Sequence, residues 1–224
     1  MTSPSSSELP DVQSDAETLG PSSQLPLWAA AFFVVMWVIL LSRFGEGDVY
    51  AVIGPYSCVV SVACLILGRR EMRGQLVTDW RGLAIGLGVG VVITALTYPV
   101  FQLARYLVPV LDSQVQGLYS GARSTTLPKA LLWLSAAIVA EELLFRGLIP
   151  LALRRLVSER QAYGVALLAY TLAQLGSGSV IVSLMALGYG GVWTVMRMYT
   201  RSLAPGLIAH AIWSPTLILL YPVT

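Results

Sequence analysis

Charge is scarce in this chain. Lys and Arg number 14 and Asp and Glu 12, so charged residues are 12% of 224 while hydrophobic ones are 56%. Soluble domains carry about 25% charge and about 45–50% apolar residues, so a water-facing shell around a core of this size is hard to build. The mean hydropathy of +0.72 agrees. A net charge of +2 leaves no basic stripe for a nucleic acid. Histidine occurs once and cysteine twice, which excludes a disulfide scaffold, a zinc finger or a multi-His metal site. What remains is a one-domain polytopic membrane protein.

Positive charge is also missing from the first 25 residues, MTSPSSSELPDVQSDAETLGPSSQL. This Ser- and Pro-rich stretch holds Glu8, Asp11, Asp15 and Glu17 and too little apolar area to offset its ordering entropy. It is expected to be a disordered acidic tail, followed by a membrane domain over 26–224. Without a basic segment before its apolar stretch it does not read as a signal peptide.

Long apolar runs are what the chain has. They cover 27–41, 50–67, 83–108, 127–153, 162–175, 180–196 and 203–223. A span needs roughly 20 apolar residues, and three or four runs reach that cleanly. The runs are continuous rather than alternating, which excludes a lipid-facing barrel. The expected fold is an all-α polytopic bundle of about seven transmembrane helices. Arg69, Arg70, Arg73 and Arg81 lie in the second connection, Arg154, Arg155 and Arg160 in the fourth, and Arg197 and Arg201 in the sixth. The first and third hold only Arg43, Arg123 and Lys129, with Arg105 near the latter, and the fifth holds none. This bias predicts a cytoplasmic N-terminus.

Two acids break the apolar pattern. Glu141 and Glu142 lie near the middle of the fourth run, where an ionised side chain is costly and functional by default. Glu142 and Arg146 are four apart and can pair on one helical face, which explains Glu142 structurally. Glu141 points about 100° away and stays unexplained. As a general base it could activate a water and later protonate a leaving amine. Two further polar pairs sit in apolar runs at helical spacing, Tyr170 with Gln174 and His210 with Ser214. Taken alone, His210 reads as a histidine bonded between helices and Gln174 as an interhelical amide. Gly82, Gly86 and Gly90 line one face and suit close helix approach, and Cys58 and Cys64 read as small packing residues.

EELLFR at 141–146 is similar to the EExxxR signature of the CPBP family of intramembrane proteases, which includes the type II CAAX prenyl endopeptidases and bacteriocin-processing proteins. That family's pattern continues with an aromatic-xxx-His helix and a His-xxx-Asn helix; this chain has Tyr170-xxx-Gln174 and His210-xxx-Ser214. The resemblance covers about 127–217. It implies a CAAX-protease-like bundle in which Glu141 activates water and Glu142 and Arg146 support it. It further implies an oxyanion site at His210 with Ser214, and substrate contacts at Tyr170 and Phe145. Gln174 stands where the family has His and cannot titrate, and Ser214 replaces Asn. There is no HExxH, and Glu141, Glu142 and His210 make a sparse zinc set, so no metal and no cofactor are expected.

The expected function is an intramembrane endopeptidase, in a bacterial plasma membrane, acting on a membrane-associated peptide or a C-terminal sorting or anchor segment. Its partners would be that substrate and the lipid bilayer. A non-catalytic immunity or assembly protein on the same scaffold is the alternative, favoured by Gln174. A transporter would instead need broken helices along a continuous polar path.

Overall fold

The computed structural model describes residues 21–44, 49–122 and 125–223. Ten α-helices follow one another among them: α1 (Pro21–Phe44), α2 (Val49–Leu67), α3 (Arg69–Gly74), α4 (Trp80–Leu107), α5 (Val110–Ala122), α6 (Leu127–Glu141), α7 (Ile149–Leu153), α8 (Glu159–Gln174), α9 (Val180–Thr200) and α10 (Ala204–Pro215). A π-helical stretch, Glu142–Leu148, joins α6 to α7, and a second, Thr216–Leu220, extends α10. Each of the seven apolar runs falls on a helix, the fourth on the continuous path α6–π–α7. Four helical segments are individually long and apolar enough to cross a membrane: Gln24–Arg43, Tyr50–Leu67, Trp80–Leu107 and Val180–Thr200.

Large apolar side chains stay exposed around this bundle, among them Phe32, Val59, Val62, Leu87, Val91, Leu96, Leu168, Leu184 and Val195. A belt of that extent is unstable in water and is what lipid requires. The chain is an all-α integral membrane protein.

Helix ends follow local chemistry. The Asp79 side chain accepts from Gly82 N at 2.9 Å and starts α4. Ser158 and Gln161 form a capping box on α8. The 176–179 turn ends on Gly178, whose φ of 72° is left-handed, before Ser179 caps α9.

Three features differ from the sequence reading. Residues 21–25, expected in the tail, belong to α1, whose first residue, Pro21, suits a helix start; the tail expectation for 1–20 lies outside the described residues. The third connection contains α5, whose Val115 and Tyr119 are buried one turn apart. The second contains α3, with Met72 buried. Both are too short and polar to register as apolar runs.

Close packing places α10 at the centre. A Cβ on Gly86 would lie 2.9 Å from Pro205 O, and one on Gly90 2.9 Å from Ala209 Cα. Glycine therefore lets α4 meet the α10 backbone. Cys64 packs in the core, whereas Cys58 faces outward.

The connections gather into two faces. On one, Leu203 N and Ser202 Oγ donate to Gln75 O at 2.6 and 3.0 Å, and Arg201 and Arg154 pair with Glu159. On the other, Ile181 N reaches Gln114 Oε1 at 3.4 Å, Tyr98 Oη donates to Tyr221 O at 2.6 Å, and Val223 N donates to Tyr119 Oη at 3.0 Å. The second, fourth and sixth connections thus share the first face. The third, the fifth and the C-terminal end share the second.

Candidate active site

The site begins where α6 changes form. From Glu142 to Leu148 the helix widens to π geometry, with Ile149 N bonded to Leu144 O five residues back. Pro150 follows; it cannot donate a backbone hydrogen bond, and in α geometry its ring would crowd the Arg146 carbonyl. A wider turn relieves that conflict, and such turns recur at functional sites. All seven residues of the stretch are buried. The wider turn also brings successive side chains closer in direction than α geometry does, so Glu141 and Glu142 both reach α10.

Glu141 is clamped from α8. Tyr170 Oη donates to Oε2 at 2.7 Å and Gln174 Nε2 donates to Oε1 at 3.1 Å. One turn of α8 thus holds both oxygens of one carboxylate. Glu142 is held by two other groups: His210 Nδ1 lies 3.0 Å from Oε1, and Arg146 Nη1 lies 3.5 Å from the same oxygen. Glu142 and Arg146 are each 1% exposed. Removing one member of an ion pair this deep leaves the other charge buried and uncompensated. Arg146 also donates from Nη2 to Gly190 O at 3.2 Å and lies over the Tyr170 ring, 4.2 Å from its centroid.

His210 joins the two acids. A carboxylate only accepts, so Nδ1 carries the hydrogen directed at Glu142. Its Nε2 then points at Glu141, 3.9 Å from Oε2. Trp193 stacks on the imidazole with centroids 5.7 Å apart, and Trp213 flanks it at 6.3 Å. Trp213 Nε1 is itself anchored to Thr97 Oγ1 at 3.1 Å, and Thr97 shares a 2.7 Å hydrogen bond with Tyr189 Oη.

A cavity of about 160 Å³ opens beside these groups. Glu141, Tyr170, Gln174, His210 and Ser214 form its polar floor, and Leu134, Ile138, Val182, Met185, Ala186 and Ile218 form apolar walls. Ser214 is buried one turn beyond His210, and its hydroxyl makes no hydrogen bond to a described residue. It therefore has a donor to offer whatever enters.

Of the residues singled out in sequence, Glu141, Tyr170, Gln174, His210 and Ser214 meet at this cavity. Glu142 and Arg146 lie behind it. Phe145 does not line it: the ring is 1% exposed and packed between Trp37, at 6.5 Å, and Tyr170, at 4.9 Å. It faces α1 and α8, where its ring packs against Trp37 and Tyr170.

Sequence reading missed Trp193, Tyr189, Trp213 and Thr97. A Cβ on Gly190 would lie 2.6 Å from Arg146 Nη2 and 2.9 Å from Tyr170 ring atoms, so this position must lack a side chain. Tyr189 and Trp193 are four apart, a pairing that the aromatic pattern of α9 could have signalled. Among the described residues, no three His, Cys, Asp or Glu side chains are grouped to hold a metal ion.

Residues 123–215 match the family model described as type II CAAX prenyl endopeptidase, Rce1-like. The match spans every residue of the site floor. No curated protein and no solved structure matches the chain.

Proposed function

We propose that the chain is a glutamate-type intramembrane endopeptidase of the CPBP/CAAX protease family, a reading supported by the match of residues 123–215 to the Rce1-like family model. Its substrate is a membrane-associated peptide or a C-terminal anchor segment. The observation that carries this reading is the approach of His210 Nε2 to Glu141 Oε2, 3.9 Å apart on the floor of a buried cavity.

That spacing accommodates a water donating one hydrogen to each atom, which leaves its lone pairs free to attack. Glu141 takes a proton from the water as the oxygen bonds to the scissile carbonyl carbon. The carbonyl oxygen becomes an oxyanion, to which the Ser214 hydroxyl and the second N–H of Gln174 can donate. His210 holds that water through Nε2, with the Glu142 carboxylate fixing the hydrogen on Nδ1. Collapse of the intermediate breaks the C–N bond, and the proton on Glu141 passes to the leaving nitrogen. Tyr170, Gln174, Glu142 and Arg146 hold the two central groups in register. We place the protein in a bacterial plasma membrane with its N-terminus cytoplasmic, a placement supported by the distribution of arginines.

One observation favours a second reading. Gln174 touches the base at 3.1 Å but cannot carry a proton. If the family's histidine at this position must shuttle one, the chain is a non-catalytic immunity or assembly protein on the same scaffold. Comparative proteomics of cells carrying wild type, Glu141→Ala and Gln174→His separates the two. Protease action requires that a processed terminus disappear in Glu141→Ala; an unchanged proteome there rejects it. New cleavage that appears only with Gln174→His supports the non-catalytic protein.

A further inference from the structure

The cavity is one-sided. On α6 its lining runs from Glu141 back to Leu134, about 10 Å toward the helix N-terminus. On α9 it runs from Trp193 back to Val182, again toward the N-terminus. On α10 it runs from His210 forward to Ile218, toward the C-terminus of the chain. On α8 it ends with Gln174, at the helix C-terminus. All four directions lead to the same face, the one that carries the third and fifth connections and residues 221–223.

The opposite direction is plugged. Leu143, Leu144, Phe145, Arg146 and Leu148 are at most 2% exposed beyond Glu141. Gly206 seats against the back of Glu142: a Cβ there would lie 3.2 Å from Oε2. Among the described residues, α7 and the C-terminal end of α9 contribute no lining.

The plugged side is the basic one. Arg73, Arg81, Arg154, Arg155, Arg160, Arg197 and Arg201 lie there, and the sixth connection is tied to the second and fourth by the contacts at Gln75 and Glu159. The open side holds Arg43, Arg105 and Lys129, and its fifth connection has no charge. Basic connections remain in the cytoplasm.

We infer that the catalytic cavity opens to the extracytoplasmic face. The substrate is then a membrane-anchored peptide whose scissile bond emerges on that side, with apolar residues next to it to match the Leu134, Val182 and Ile218 walls. A cavity of about 160 Å³ takes one ring-sized group at a time, so this is a site for an extended strand, not a folded domain. The inference rests on the protease reading for its substrate, whereas the direction of the mouth rests on geometry and charge alone.

The test uses the full chain in right-side-out and inside-out vesicles from expressing cells, with a membrane-impermeant maleimide as probe. Leu134→Cys, Val182→Cys and Ile218→Cys are to be labelled in right-side-out vesicles and not in inside-out ones. Arg73→Cys, on the basic face, is to show the reverse. Wild type supplies the background, since Cys58 and Cys64 lie within α2. Labelling of the cavity cysteines from the cytoplasmic side, or from neither side, overturns the inference.

Mapping of protein termini in the same cells separates it from the parent reading. Termini that depend on Glu141 and fall on extracytoplasmic flanks of anchors support both. Such termini on cytoplasmic flanks leave the protease standing and reject the mouth direction. If no terminus depends on Glu141, the protease fails, and the labelling alone decides the mouth.

Discussion

His210 Nδ1 lies 3.0 Å from Glu142 Oε1, a contact between side chains 68 positions apart. It fixes which imidazole nitrogen faces the cavity, and through it the second glutamate sets the hand that the first one needs. His210→Asn tests this arrangement. The Asn amide can occupy the place of Nδ1 and keep the bond to Glu142, but no group then replaces Nε2 opposite Glu141. We expect thermal unfolding in detergent to change little while Glu141-dependent processing falls by about 10²-fold or more. Loss of folding in His210→Asn would instead make the residue structural.

Glu142 should matter more for stability than Glu141 does. Its removal in Glu142→Ala leaves Arg146 buried without its carboxylate, which costs about 3–5 kcal/mol. Combining it with Arg146→Ala should cost less than the sum of the single changes, since the two side chains share one interaction. Denaturation midpoints of the four proteins in detergent check both statements.

Tyr170→Phe removes one hydroxyl and keeps the ring that packs on Phe145 and under Arg146. A hydrogen bond to a charged group contributes about 1.5–3 kcal/mol. If that contribution is felt in positioning Glu141, processing should fall by about 10- to 100-fold with the fold intact. Rates of terminus formation, compared with protein abundance by immunoblot, measure it.

Glycine substitutions should separate close packing from spare space on α9. Gly190→Ala pushes a methyl into Arg146 and Tyr170 and should destabilise by about 1–3 kcal/mol, with loss of processing. Gly188→Ala, two residues away, meets nothing within 4 Å and should be silent in both measurements. The same contrast is expected on α4, where Gly90→Ala meets Ala209 Cα at 2.9 Å and Gly88→Ala meets nothing within 4 Å.

Much of the site can be read in the chain because membrane spans tolerate few polar residues. Glu141, Glu142, Gln174, His210 and Ser214 stand out against an apolar background, and spacing by four pairs Glu142 with Arg146, Gln174 with Tyr170 and His210 with Ser214. Phe145 could not be placed that way. Its ring lies in the core between Trp37 and Tyr170, on the π stretch before Pro150, and neither residue type nor spacing announces that. Trp193, Trp213 and Thr97 stayed hidden for a related reason: aromatic and hydroxyl side chains are ordinary in a span, and only a fold can say which of them touch a histidine.

Composition and the continuity of the apolar runs determined that this is an all-helical protein of the membrane, because a chain with so little charge cannot solvate its own surface, lipid leaves no backbone group unpaired, and a barrel strand would alternate. Intramembrane polarity determined which side chains have work to do. Tertiary structure alone decided how they share it. Helix packing carries direction and distance, so only the folded bundle puts Tyr170 and Gln174 on one glutamate and His210 on the other, and closes the cavity on its arginine-rich side.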